Sequence, residues 1–198
     1  AIEFGRPERL PVEFGIFGKC DTHWVNWNQI GTGDRRKRET YDEWGCLWAR
    51  TEKSNMGQIK GHPLLNCESL ANYRWPDPDD PAFYEGMEKK FEGSDGKYIL
   101  TGIFMLLFER LHGLRGFENT LMDLYLEREK IEMLADRIVE IDIAIIQNIA
   151  RRFPGQIDGF SFSDDWGTEQ NTFISPELWD EFFKPRYKKL FDAMKAAG

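Results

Sequence analysis

The chain contains 198 residues, of which 41% are hydrophobic and 30% are charged, including 15 Phe, 7 Trp and 6 Tyr. This composition excludes extended disorder and predicts one globular domain, although a complete (β/α)8 barrel takes about 250 residues. The formal net charge of −8 argues against a nucleic-acid partner, because an acidic surface repels phosphates.

The sequence carries no signal for a membrane or for export. Its longest apolar run, residues 99–108, is shorter than the about 20 residues that span a bilayer, and no signal-peptide pattern begins the chain. The three cysteines are odd in number and widely spaced, which is typical of reduced thiols. Cys20 and His23 match half of a zinc site, but no second pair stands at ligand spacing, so we predict no metal site in this span. We therefore expect a cytoplasmic protein.

The first half of the chain predicts short strands and irregular segments. Residues 9–17 alternate and favour a first strand, whereas residues 18–40 show no sustained period and predict a loop. Residues 44–51 and 58–60 predict a hairpin, since a glycine-bearing turn separates them. Prolines and aspartates then predict a capped helix over residues 81–92.

The second half predicts strands that alternate with helices. The predicted strands are 97–104 and 157–163, and the predicted helices are 105–113, 119–127, 128–153 and 175–197. Strand followed by helix, repeated, indicates a parallel sheet with covering helices. Gly198 stands where a helix would lead into its next strand, so we expect a sheet with an unpaired edge.

The main candidate site follows the strand predicted over 157–163. In parallel α/β folds, functional groups cluster at the carboxyl ends of the strands, and here that position brings Asp164, Asp165, Trp166 and Gln170. Neighbouring carboxylates repel and can separate their pKa values, which suits acid and base roles or cation binding. The alternative is that one aspartate caps a helical turn while the other is solvated.

Two more clusters are candidates. Asp42 and Trp44 lie in a turn before the hairpin, where burial could tune a carboxylate, although an exposed turn is the favoured alternative. His23 and Trp24 follow the first predicted strand, where a histidine can act as acid or base or serve only as a hydrogen-bonding partner.

Four more polar residues follow the strand predicted over 97–104. For most of them we expect surface salt bridges: Glu109, Arg110, His112 and Arg115. Dinucleotide-binding, P-loop, serine-hydrolase and zincin motifs do not occur in the sequence.

Several segments, in this order and spacing, resemble the uroporphyrinogen decarboxylase superfamily over nearly the whole chain. The matching segments are RPERLPVE at residues 6–13, DEWG at 42–45, RWPDPD at 74–79, LRGFEN at 114–119, DDWG at 164–167, ISPELW at 174–179 and KPRY at 184–187. The resemblance implies a TIM-type (β/α)8 barrel, present here as one incomplete domain over residues 1–198. It also implies that the parent protein is an enzyme, and that the 198-residue chain alone is inactive.

That superfamily contains porphyrinogen decarboxylases as well as methyltransferases that work with corrinoid proteins, folates or thiols. The decarboxylases carry an arginine-rich signature after the first strand, but residues 15–20 here read GIFGKC. The resemblance therefore favours the methyltransferase-like branch, acting on a small methylated substrate or carrier with a corrinoid protein as partner. The alternatives are uroporphyrinogen decarboxylation and a noncatalytic half barrel that forms a homodimer through its open sheet edge.

The resemblance also assigns roles to residues. Asp42, Asp164 and Asp165 are expected to contact substrate or relay protons. The substrate-binding candidates are His23, Trp24, Trp44, Trp166 and Gln170. The methyltransferase branch holds zinc through a histidine and cysteines downstream of the matched region, so the resemblance implies no cofactor within this span.

Overall fold

The structure is a computed structural model that describes residues 5, 8–14, 19–29, 37–50 and 57–197. Its centre is a three-stranded parallel sheet made of β3 (Thr22–Trp24), β7 (Tyr98–Ile103) and β8 (Gly159–Phe162), in that order. Leu100 on the middle strand pairs with both Trp24 and Gly159, which fixes the register across the sheet. Among the described parallel strands, neighbours in the sheet also follow each other in chain order, although antiparallel strands come between β3 and β7 in the chain.

Two antiparallel units accompany this sheet. β1 (Glu13–Phe14) pairs with β2 (Lys19–Cys20), and β4 (Glu39–Tyr41), β5 (Leu47–Ala49) and β6 (Gln58–Gly61) form a meander. The hairpin predicted over residues 44–60 is thereby confirmed, with β5 as its first strand and β6 as its second.

Helices connect and cover the parallel strands. After β7 come α1 (Phe108–Arg115), α2 (Phe117–Leu126) and α3 (Arg128–Arg152); after β8 come α4 (Pro176–Leu178), a π-helical turn (Trp179–Phe183) and α5 (Lys184–Ala197). The apolar stripe of α3 is buried, including Ile138, Ile145 and Ile149, as its threes-and-fours spacing predicted. Ser175 caps α4 by accepting a hydrogen bond from the Leu178 amide at 3.2 Å.

Three predictions of local structure need correction. The strand predicted over 9–17 appears among the described residues as β1, and positions 15–17 of that prediction lie outside them. The first described strand of the parallel sheet is β3, inside the segment predicted as a loop. The helix predicted over 81–92 is two 3-10 segments, Pro81–Phe83 and Met87–Phe91, with the left-handed Gly86 before the second. The helix predicted from residue 105 begins at Phe108.

The fold is therefore α/β, with a parallel sheet and packed helices, as the alternation of strands and helices predicted. A closed barrel is not formed by the three parallel strands described. Among the described residues, no helix is long and apolar enough to cross a membrane.

Candidate functional site

A small hollow opens at the carboxyl ends of the three parallel strands. Its volume is about 230 Å³, and its lining comes from all three strands and from the segments that follow them. The lining residues are Trp24, Asn26, Gln29, Gly102, Ile103, Phe104, Ser161, Phe162 and Ser163. Parallel α/β folds place binding sites at this end of the sheet, because the loops that leave the strands converge there.

The floor of the hollow is held by side-chain bonds to the end of β7. Gln29 donates its amide to the Gly102 carbonyl at 2.9 Å and accepts from the Phe104 amide at 3.2 Å. The Trp27 indole also donates to the Gly102 carbonyl at 2.9 Å. A Cβ at residue 102 would lie 2.7 Å from the Ser161 carbonyl oxygen, so only glycine allows β7 and β8 to approach this closely.

The turn that follows the hollow is strained. Met105 is buried and has a φ of 60°, a left-handed conformation that side-chain-bearing residues rarely adopt. Backbone of this kind persists where surrounding contacts hold it, and here Ser163 Oγ lies 3.3 Å from the Met105 amide.

At the rim of the hollow lies a group that we name the mouth cluster: Glu109, Ser163, Asp164 and Asp165. Asp164 accepts hydrogen bonds from the amides of Leu107 and Phe108 at 2.9 Å and of Glu109 at 2.6 Å. It also accepts from the Tyr187 hydroxyl. Asp164 therefore caps the start of α1 from a distant part of the chain, which explains why that helix begins at Phe108.

The other two carboxyl groups of the mouth cluster, Glu109 and Asp165, are less constrained than that of Asp164. The Ser163 hydroxyl donates to Glu109 Oε2 at 3.1 Å, which places the Glu109 carboxyl one hydrogen bond from the hollow. Burial raises the pKa of Glu109, and the negative charges of Asp164 and Asp165 raise it further. Asp165 is exposed beside it. This arrangement can hold a proton near a bound molecule.

Behind the hollow lies a second group, the inner cluster: Asp42, Glu43, Arg110 and Asp142. Asp42 accepts from the Trp44 amide at 3.1 Å, the Cys46 amide at 2.8 Å, the Trp48 indole at 3.0 Å and Arg110 at 2.9 Å. The side chains of Asp42 and Arg110 are 1% and 3% exposed. Asp42 thus closes the 42–46 turn and neutralises a buried guanidinium.

The inner cluster has more carboxyls than cations. Arg110 lies 3.8 Å from Glu43, and burial raises the pKa of Glu43 to about 7. Burial also raises the pKa of Asp142 well above its ordinary range. One polar atom on each of Glu43, Arg110 and Asp142 is buried without a hydrogen-bond partner. A protonated Asp142 avoids the large cost of an uncompensated buried charge.

The two clusters meet at the wall of the hollow. Phe104, which lines the hollow, accepts a long hydrogen bond of 3.5 Å from Arg110 through its carbonyl, and its ring lies 6.0 Å from that of Trp48. Glu109 and Arg110 are consecutive on α1, so one helical turn presents a carboxyl to the mouth and a guanidinium to the core.

The predicted substrate-binding residues do not lie together at one site. Trp24 lines the hollow and is 43% exposed. His23 Nε2 lies 2.6 Å from the Lys90 carbonyl, outside the hollow lining. Trp44 is buried under Arg110, whose guanidinium lies 5.1 Å from its ring centre. Trp166 stacks on Phe108 at 4.6 Å, and Gln170 is exposed on the following loop.

Sequence reasoning missed several residues that build this site. Arg110 was expected on the surface but is buried, and its partner Asp42 is 68 positions away, which local spacing cannot reveal. Gln29 stands in a segment without periodicity, and Asp142 lies inside the apolar stripe of α3. A carboxylate within such a stripe is a usable sequence signal, because buried acids are rare unless they are paired.

The described residues show no group of three or more His, Cys, Asp and Glu side chains placed to hold a metal ion. His62 Nδ1 lies 2.8 Å from the Gly113 carbonyl, and burial lowers the pKa of His112 to about 4. Burial raises the pKa of the Cys46 thiol, which disfavours the thiolate that a metal would need.

No family model matches the chain, and searches of curated proteins and of solved structures likewise find no match.

Proposed function

We propose that this chain is part of a (β/α) barrel enzyme of the uroporphyrinogen decarboxylase superfamily that acts on a small molecule bound in the hollow. The observation that carries the proposal is the position of Glu109, a half-buried carboxyl one hydrogen bond from a hollow at the carboxyl ends of three consecutive parallel strands. The order of these strands supports a barrel, because sequential parallel neighbours are the pattern of that fold.

In this proposal the acid–base work belongs to the mouth cluster. Glu109 exchanges a proton with the substrate, since burial and the neighbouring carboxylates raise its pKa above that of an exposed carboxylate. Asp165 is exposed beside it and contacts substrate or solvent. Asp164 and Asp42 act as positioning residues: Asp164 fixes the start of α1, and Asp42 fixes Arg110 behind Phe104.

The methyltransferase-like branch is the better-supported activity. The lining that the structure describes consists of rings, amides and hydroxyls, which suit a small methylated molecule better than a substrate with many carboxylates. The zinc ligands that the resemblance implies would lie downstream of the matched region, where the ion would activate a thiol. The proton exchange assigned to Glu109 does not depend on them.

The test uses protein expressed from its complete reading frame and measures methyl transfer from methylcobalamin to a thiol. The change in the cobalamin absorption spectrum reports the rate of this transfer. The thiol gives its proton to the Glu109 carboxylate, its sulfur forms the new bond to the methyl carbon, and cobalt keeps the electron pair of the broken bond. We expect Glu109→Gln to lower kcat by about 10²–10⁴-fold, the range typical of a lost acid–base group. Glu140→Gln, an exposed helical carboxylate, serves as the matched control and should leave kcat unchanged.

Absence of turnover in the wild-type protein, with release of carbon dioxide from a porphyrinogen instead, would favour the decarboxylase. Turnover that is equal in wild type and Glu109→Gln would remove Glu109 from the mechanism.

A further inference from the structure

We infer that a pocket on the segment after β8 is a separate binding site for a methylated ammonium group, which it holds in a corner between Trp166 and Trp179. We name it the indole pocket. Its volume is about 300 Å³, and its lining shares no residue with that of the hollow, so the inference does not rest on the proposed function. The lining includes Trp166, Thr172, Ile174, Pro176, Trp179 and Asp180.

A tight turn of the chain builds the indole pocket. Gly167 pairs with Thr172, and the Trp166 carbonyl accepts a hydrogen bond from the Phe173 amide at 2.9 Å. The chain therefore folds back on itself, and the residues that follow the turn lie beside Trp166. The capped start of α4 comes next, and the helical turn after it presents Trp179. One continuous segment, residues 166–180, thus supplies the whole lining.

The two indoles of the pocket stand at a right angle to each other. Their planes differ by 81°, and their ring centres are 6.3 Å apart. Trp166 stacks on the buried Phe108 at 4.6 Å, and Trp179 lies nearly parallel to the buried Tyr187 at 6.1 Å. These contacts hold each ring from one side and leave its opposite face to the pocket. Among the described cationic side chains, none lies over either indole. Free indole faces attract cations.

Exposed carboxylates surround the indole pocket. Asp180 lines it, and Asp165 and Glu177 are immediate chain neighbours of lining residues. Among the described residues, neither Asp165 nor Glu177 has an ion-pair partner. Asp180 pairs with Lys184 at 2.7 Å, but their side chains are 60% and 61% exposed, and exposed pairs of this kind are weak. The described lining contains neither Lys nor Arg, so the local field attracts positive charge.

The hydroxyl groups of the lining are already engaged. The Thr172 hydroxyl donates to the Ile174 carbonyl at 2.7 Å, and the Ser175 hydroxyl accepts from the Leu178 amide at 3.2 Å. The pocket therefore offers few hydrogen bonds, which disfavours a sugar or a primary ammonium. A trimethylammonium group has no N–H to satisfy and is weakly hydrated, so ring faces and nearby carboxylate charge are sufficient to hold it.

The test is isothermal titration of protein expressed from its complete reading frame with two probes of the same shape: choline, and its neutral isostere 3,3-dimethylbutan-1-ol. We expect choline to bind about 5-fold more tightly or better, because only a cation gains from the ring faces and the carboxylates. Trp179→Leu should weaken choline binding about 10-fold and Asp180→Asn about 3-fold, with smaller changes for the isostere. Tyr125→Leu, which removes an exposed ring on α2, is the control and should change nothing.

Three results would overturn the inference: equal binding of the two probes, no binding of choline, or a loss of choline binding in Trp24→Leu but not in Trp179→Leu. The last of these would place the cation in the hollow. Circular dichroism shows whether each variant is folded. If Trp179→Leu does not fold, the exposed change Asp180→Asn decides, because an unaltered choline affinity at low salt would contradict the site.

Methylated ammonium groups occur in free small molecules and on trimethyllysine side chains. A tripeptide with a central trimethyllysine, titrated beside choline, separates these sources. Tighter binding of the tripeptide identifies a protein as the source, tighter binding of choline identifies a free small molecule, and both results support the site. The proposed function fails separately, since Glu109→Gln tests methyl transfer and should leave choline binding at the indole pocket unaltered.

Discussion

The mouth cluster and the inner cluster are both acidic, and each contains a carboxyl group that the sequence made a candidate, Asp164 in one and Asp42 in the other, but they differ in what holds their carboxyl groups. In the inner cluster, Asp42 receives four donors and is 1% exposed at its side chain. In the mouth cluster, Glu109 receives one side-chain donor, and Asp165 is exposed. A carboxylate saturated with fixed donors stabilises the fold, whereas one with free acceptor capacity beside a hollow can meet a ligand.

Of the substitutions that test this difference, Arg110→Met should have the largest effect on stability. Removal of the guanidinium leaves Asp42 and Glu43 without their buried counter-ion, and breaking a buried pair in this way costs about 3–5 kcal/mol. Urea unfolding measures the loss. The control is Arg137→Met, since the exposed pair between Arg137 and Glu140 contributes at most about 1 kcal/mol. A loss for Arg110→Met no greater than that of the control would show that the inner cluster is not structural.

The inner cluster should also make stability depend on pH. Burial raises the pKa of Glu43 from 4.5 to about 7, so the folded state holds a proton that the unfolded state loses between these values. The stabilisation is complete below pH 4.5 and is lost as the pH rises through about 7. Relative to Glu43→Gln, which stays neutral, the wild type should lose at most about 3 kcal/mol between pH 4.5 and pH 8.

Unfolding in urea at pH 5 and pH 8 checks the pH prediction, with Glu140→Gln as an exposed control. Parallel pH profiles for wild type and Glu43→Gln would contradict it. That result would mean that Arg110 keeps Glu43 ionised throughout.

We expect a smaller difference in stability between variants of the two aspartates of the mouth cluster. Asp164→Ala removes the acceptor for three amides at the start of α1 and for Tyr187, and we expect a loss of about 1–2 kcal/mol. Asp165→Ala, at the exposed neighbour, should stay within about 0.5 kcal/mol. Thermal unfolding of both variants makes the comparison. Equal losses would show that the cap adds nothing to stability.

The sequence predicted most of the second half of the fold because its signals are local. The apolar stripe of α3, the Ser175-Pro176 start of α4 and the β-branched run of β7 each specify their own element. The first half was harder, since β3 is only three residues long and is defined by pairing with β7, about 75 positions later. The hydrophobic periodicity of a short segment contains no information about which distant strand it pairs with.

The sequence predicted where the candidate site lies better than it predicted which residues form it. Its placement after β8 followed from the rule for parallel strands, and Trp24 and Asp165 are exposed at or beside the hollow. The pairing of Asp42 with Arg110 could not be predicted, because the two residues lie in different elements and only the packed core brings them together. For the same reason the sequence assigned Glu109 and Arg110 one common surface role, although they face opposite environments.

The π-helical turn at Trp179–Phe183 has a consequence for how this chain can tolerate length changes. A π turn contains one more residue than the α-helical turn it replaces, and each residue rotates an α-helix by about 100°. Because the π turn and the α-helical turn it replaces complete nearly the same rotation, deleting one residue there would restore regular winding and keep the facing of α5, so that Tyr187 would still reach Asp164 and Arg186 would still reach Asp136. A deletion within the α-helical part of α5 would instead rotate the residues after it by about 100°, so the π turn is the position where this helix tolerates the loss of a residue without disturbing the mouth cluster.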